Sequence, residues 1–232
     1  MSSPIKTQWI DIAPGFAGYL ALPPAGKGPG LVLFQEIFGV NEHIRGVAEQ
    51  YALDGFVVLA PDLFWRGAPK IELGYEGADR ARGIELMHAM TPDHVASDIT
   101  ASVGALRARP ETAGAKLGAI GYCLGGRLAY NAAALGGIDA AVAYYGGGIH
   151  NELDRAAFIH CAMQFHYAGH DDNISPEAVE KVRQAFADKP AEVFVYPSAH
   201  HGFNCWSRAS YNAPSAALAH GRALAFLADA LF

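Results

Sequence analysis

Gly121-Tyr122-Cys123-Leu124-Gly125-Gly126 lies between an apolar run, Leu117 to Gly121, and a stretch of helical character, Leu124 to Leu135. Strand, G-x-C-x-G, helix is the setting of a nucleophile elbow, a sharp turn that lifts its central side chain above the sheet. Glycines two residues either side of Cys123 let strand and helix approach without side-chain clash. The positive N-terminal end of the following helix favours a thiolate at the turn. A free cysteine is often no more than a small buried hydrophobe, but that alternative leaves the strand–turn–helix setting unexplained. Cys123 is the candidate nucleophile.

The pattern repeats outward from the elbow. Leu31 to Phe34, Phe56 to Ala60, Ala140 to Tyr145, Met163 to Tyr167 and Glu192 to Tyr196 are short apolar runs suited to strands. Asn41 to Leu53 (with Asn41 as cap), His94 to Arg107 behind Pro92, Pro176 to Phe186 and Ser215 to Leu231 read as helices. Thr7 to Ile12 and Gly18 to Leu22 flank Pro14-Gly15 as an opening hairpin. Strands alternating with helices imply an α/β fold, a mainly parallel twisted sheet with helices on both faces. Trp65 to Met90 has little period and several glycines, and is expected as a helical lid or loop over one edge. No linker or repeat divides the chain, so residues 1–232 are expected to form one domain.

A thiol nucleophile requires a base to take its proton and a carboxylate to orient that base. On an elbow fold they follow in the order nucleophile, acid, histidine. Gly169-His170-Asp171-Asp172 and His200-His201-Gly202-Phe203 come next, each beyond a strand, at the carboxyl edge where ligands collect. Either aspartate and either histidine fits at this point, the other serving the turn or the pocket wall. A metal cluster of His170, Asp171, His200 and His201 is the rival. It lacks the spacing of two histidines on one helix face, so no metal and no cofactor is expected. Cys161 reads as core, and Cys205 as a residue near the base.

The bulk composition narrows the partners. With 51% hydrophobic and 17% charged residues the chain can bury a large core. A net charge of −6 with no basic run argues against nucleic acid. No apolar run approaches the roughly 20 residues of a membrane span, and Met1 to Trp9 does not read as a secretory leader. Three widely spaced cysteines make no disulfide framework. A cytoplasmic monomer or small homo-oligomer acting on a small molecule is expected.

The residues resemble the dienelactone hydrolase family, cysteine hydrolases of the α/β-hydrolase fold. Gln35-Glu36-Ile37-Phe38-Gly39, the elbow, Gly169-His170-Asp171 with Ile174, and His201-Gly202-Phe203 carry the resemblance. Ala60-Pro61-Asp62-Leu63 and Tyr144-Tyr145-Gly146 support it, so it runs from about Leu31 to the end. It implies hydrolysis of an ester or lactone, with Cys123 as nucleophile, Asp171 as acid and His201 as base. It also implies that Glu36 helps control the thiol's ionisation, and that the Ile37 and Leu124 N–H groups stabilise the oxyanion. The family's founding enzymes hold a substrate carboxylate with two arginines. Arg80 or Arg82 could supply the first. Four residues after His201, where the second is due, stands Cys205, followed by Trp206; the nearest arginine is Arg208. Phe38 and Trp206, with Phe64 and Trp65, are candidate apolar pocket residues, and would suit a neutral aryl ester or thioester. A hydrolase-fold protein that only binds a ligand is the reading from another class.

Overall fold

The computed structural model describes residues 4–232, so the part of the N-terminal reading that rests on residues 1–3 lies outside the described residues. Its strands are β1 (Lys6–Ala13), β2 (Phe16–Leu22), β3 (Gly30–Phe34), β4 (Val57–Pro61), β5 (Leu117–Tyr122), β6 (Ala140–Tyr144), β7 (Ala162–His170) and β8 (Ala191–His200). They form one eight-stranded sheet in the order β1-β2-β4-β3-β5-β6-β7-β8. β1 and β2 are the expected hairpin, with Gly15 in the left-handed region at φ +79°. β2 joins β4 antiparallel, and every pairing from β4 through β8 is parallel.

Every residue of β3, β4, β5 and β6 is buried. Their sequences are unbroken apolar runs because layers cover both faces of the sheet. α1 (Glu42–Leu53) and α6 (Ala213–Leu231) share one face, where the His220 and Tyr51 rings meet. α3 (Pro92–Arg107) and α4 (Leu124–Leu135) pack together on the other. Helix starts are fixed by side chains that accept orphan N–H groups: Asn41 from Ile44, Thr91 from His94, and Ser175 from Ala178 at the start of α5 (Pro176–Ala185).

Two strands run further than their apolar cores suggest. β7 continues to His170 and β8 to His200, which pair with each other beyond a bulge between Ala168 and His170. Gly169 and Pro197 hide this extension, since both are poor strand residues. They also make the bend possible, because a Cβ on Gly169 would lie 2.6 Å from the Pro197 carbonyl oxygen. Asp171 and His201 are therefore the first residues past two adjacent parallel strands.

Trp65 to Met90 contains a turn-rich stretch and then α2 (Gly77–His88). Only Gly83 and Leu86 of α2 are buried, which explains the weak period. Gly83 seats α2 on the turn after β3: a Cβ there would come within 2.3 Å of the Ile37 carbonyl oxygen. No described helix is long and apolar enough to cross a membrane. All three cysteines are free.

Candidate active site

The elbow is built by backbone contact. A Cβ on Gly121 would lie 2.0 Å from the Gly125 carbonyl oxygen, and one on Gly125 would lie 2.2 Å from that of Phe34. A Cβ on Gly126 would lie 2.4 Å from the Tyr144 oxygen, so α4 presses on three strand ends at once. This packing holds Cys123 at φ 56°, ψ −114°, a conformation unfavourable for a residue with a side chain. Its N–H donates to the Tyr144 carbonyl at 3.0 Å, and its carbonyl accepts from Gly126 at 3.0 Å. The thiol is left partly exposed at the N-terminal end of α4.

His201 and Asp171 meet because β7 and β8 are neighbours. His201 Nδ1 lies 2.8 Å from Asp171 Oδ2. The Asn173 N–H donates to the other Asp171 oxygen at 2.9 Å, which leaves the carboxylate side chain 1% exposed. Asp172 and His200 are exposed. Burial opposes charge on the His201 ring, but the adjoining Cys123 sulfur and the Asp171 carboxylate outweigh it and push the imidazole up to about 10. Tyr145, at φ 35°, sets its ring edge-on to His201 with centroids 5.1 Å apart.

Glu36 follows β3 and is buried. Arg208 Nη1 donates to its Oε1 at 3.1 Å. Burial raises the Glu36 carboxyl above the usual range, against the lowering effect of Arg208 and His201. Arg208 reaches this point because Gly202 has no side chain, for a Cβ there would lie 2.3 Å from the guanidinium. The Phe38 ring, 2% exposed, lies under the guanidinium at 5.6 Å and edge-on to Tyr75 at 4.6 Å. Cys205, also buried, adjoins Glu36 and Tyr75, and burial with the nearby Glu36 charge pushes its thiol up to about 12. The Ile37 and Leu124 N–H groups have no protein acceptor among the described residues.

The remaining candidates lie elsewhere. Arg82 pairs with Glu85 at 3.0 Å on the solvent side of α2, while Arg80 is exposed with no ion-pair partner among the described residues. Trp206 is 45% exposed and packs on His43, at 4.2 Å, and over Gly46 of α1. Its contacts are thus with the α1 face rather than with Cys123. Trp65 stacks on Phe16 of the hairpin, and Phe64 lines a separate cavity with Leu86 and Met90. The expected role of these two rings as pocket wall finds no support in their contacts. His43, buried beside Glu36 and Cys205, drew no notice in the sequence; its place in an amphipathic helix gave no sign.

Comparison with known proteins fits this arrangement. The dienelactone hydrolase family matches residues 16–231. A carboxymethylenebutenolidase of Pseudomonas sp. (strain P51) is 35% identical over 213 residues, 91% of this chain and 89% of that protein. A Synechocystis sp. (strain ATCC 27184 / PCC 6803 / Kazusa) protein provisionally given the same name is 35% identical over 231 residues, 94% of each. A Klebsiella pneumoniae structure provisionally named a dienelactone hydrolase superposes with a TM-score of 0.85 at 32% identity, covering 97% of this chain and 98% of that one. With its α/β-hydrolase fold, the chain belongs to the dienelactone hydrolase family.

Proposed function

We propose that the protein hydrolyses an ester or lactone bearing a carboxylate, through an acyl-enzyme on Cys123. The observation that carries this reading is the line from Cys123 through His201 to Asp171, with the Asp171–His201 contact at 2.8 Å. His201 takes the thiol proton, and the sulfur attacks the acyl carbon while the carbonyl oxygen gains charge. The unpaired N–H groups of Ile37 and Leu124 are suited to receive that charge. As the intermediate collapses the carbon–oxygen bond breaks, and the His201 proton goes to the leaving oxygen. Water, deprotonated by His201, then attacks the thioester. The acid departs and the thiol is restored. Asp171 fixes the ring orientation and favours its charged form.

Arg208 supports the carboxylate preference. Cys205 stands where the family's second arginine is due, yet a guanidinium arrives beside the site from three residues further on. It is electrostatically coupled to both Glu36 and Cys123. A substrate carboxylate would compete with Glu36 for Arg208, and a fork of N–H donors suits such an anion. Displaced from Arg208, Glu36 becomes a buried carboxylate without its counter-charge, and so a stronger acceptor for a proton from the site. Arg80, exposed on α2 without an ion-pair partner among the described residues, is the candidate for a second cation.

The test compares a dienelactone with a neutral p-nitrophenyl ester, using the protein and its Cys123→Ala variant. Turnover of the dienelactone that depends on Cys123 and greatly exceeds that of the ester supports the reading. Cys123-dependent turnover of the neutral ester alone keeps the mechanism and removes the carboxylate preference. Equal rates with and without Cys123 refute both.

A further inference from the structure

Behind the proposed site, Glu36, His43 and Cys205 bring a carboxylate oxygen, an imidazole nitrogen and a sulfur within 4.8 Å of one another. These residues come from three separate places: the turn after β3, helix α1 and the segment after His201. All three side chains are buried. Oxygen, nitrogen and sulfur donors together are the ligand set of a zinc-type cation.

His43 is the independent indication. It is 1% exposed, yet neither ring nitrogen makes a hydrogen bond of normal geometry. The backbone of Asn204 is a weak hydrogen-bond partner of one ring nitrogen. A buried imidazole nitrogen left without a partner is costly, and a ligand on it would relieve that cost. Of the three residues, His43 borders a cleft open to solvent. The cleft, of about 230 Å³, also reaches Tyr75, with Glu42 and Glu72 on its walls. Glu72 is already paired with Arg45 at 2.7 Å, but Glu42 has no cationic partner among the described residues.

The geometry points to a binding site for one thiophilic divalent cation of zinc type, held by Glu36, His43 and Cys205, which shuts down the neighbouring hydrolytic site. A four-coordinate zinc ion holds its ligand atoms about 3.5 Å apart. Side-chain rotations of about an ångström therefore close the cluster around the ion, and water from the cleft completes the shell. The Cys205 proton leaves to solvent as the metal–sulfur bond forms. Arg208 opposes the ion, since it already holds one Glu36 oxygen at 3.1 Å. Binding is for that reason weaker than at a permanent structural zinc site, as suits a reversible inhibitor. Inhibition follows because the metal fixes the Glu36 carboxylate, so this consequence rests on the role proposed for Glu36 above. The binding itself does not.

Titration of the Cys123→Ala protein with Co²⁺ separates the two, because it needs no turnover and removes the thiol beside His201. The expected result is a thiolate-to-cobalt charge-transfer band that saturates at one equivalent and is displaced by Zn²⁺. The band should vanish in Cys123→Ala/Cys205→Ser. Affinity should fall about 100-fold or more in Cys123→Ala/His43→Gln, beyond the loss typical of an outer-shell change. No band in Cys123→Ala, a band that survives at full strength with serine at 205, or an unchanged affinity in the His43→Gln background would each overturn the site. The last also decides the matter if the serine variant fails to fold. If the band behaves as expected but Zn²⁺ leaves wild-type turnover intact, the inhibitory part of the inference is overturned.

Discussion

Arg208 donates to the buried carboxylate of Glu36 at 3.1 Å, across 172 residues of sequence. The pair ties the turn after β3 to the segment after His201 and sets a cation next to the proposed nucleophile. In the reading proposed above it stands in for the family arginine that the sequence lacks four residues after His201.

Arg208→Met removes the guanidinium while keeping an apolar stem of similar length. The expected outcome is a loss of about 100-fold or more in kcat/KM on a carboxylate-bearing lactone, in line with breaking one partner of a buried charge pair. A neutral ester should lose much less. Steady-state kinetics on the two substrates check this, and equal losses on both would remove the carboxylate preference.

Asp171→Asn and Asp172→Asn separate the adjacent carboxylates. Asp171 bonds His201 and is enclosed, whereas Asp172 faces solvent. Asn at 171 should lower kcat by about 100- to 10,000-fold, since it favours the wrong ring tautomer. Asn at 172 should leave kcat within about twofold, as expected of a surface change. Single-turnover rates on a chromogenic ester give the comparison.

The elbow prediction concerns stability. Gly125→Ala would put a Cβ 2.2 Å from the Phe34 carbonyl oxygen. Backbone cannot yield as a flexible side chain does, so the variant should lose about 3 kcal/mol or more, or fail to accumulate as folded protein. Gly136→Ala, at a position with open space around it, should cost less, confined to the strain of its φ of +83°. Urea unfolding of both variants tests the ordering.

His201 makes a pH prediction. Its folded-state pKa is raised from 6.5 to about 10, so the native state holds this proton more tightly than the unfolded chain does. Between those values the unfolded chain binds fewer protons, and stability falls as pH rises. The contribution is complete below the unfolded value and lost on passing through the folded one. The melting temperature should therefore drop between pH 7 and pH 10 more steeply in the wild type than in Cys123→Ala, where the sulfur's share of the shift is gone. Parallel slopes would contradict the proposed coupling of sulfur and ring.

Much of this architecture was legible because burial on both faces leaves unbroken apolar runs, as in β3, β5 and β6. The elbow was legible because its glycines answer to backbone contacts that no other residue permits. The far ends of β7 and β8 were not, since Gly169 and Pro197 join the sheet through pairing with a neighbour rather than through their own preference. α2 showed little period because it buries only two residues. The sequence offers Arg208 only as the nearest arginine and does not single out His43 at all, for another reason. A surface arginine and a buried one look alike in sequence, and only the fold of the segment after His201, with Gly202 left bare, brings Arg208 onto Glu36.

The most direct measurement is mass spectrometry of the protein quenched during turnover of a slow ester. A Cys123 nucleophile gives an acyl adduct on the peptide that contains Cys123, and no adduct or turnover in Cys123→Ala. An adduct on another residue, or turnover that survives the loss of Cys123, would contradict it.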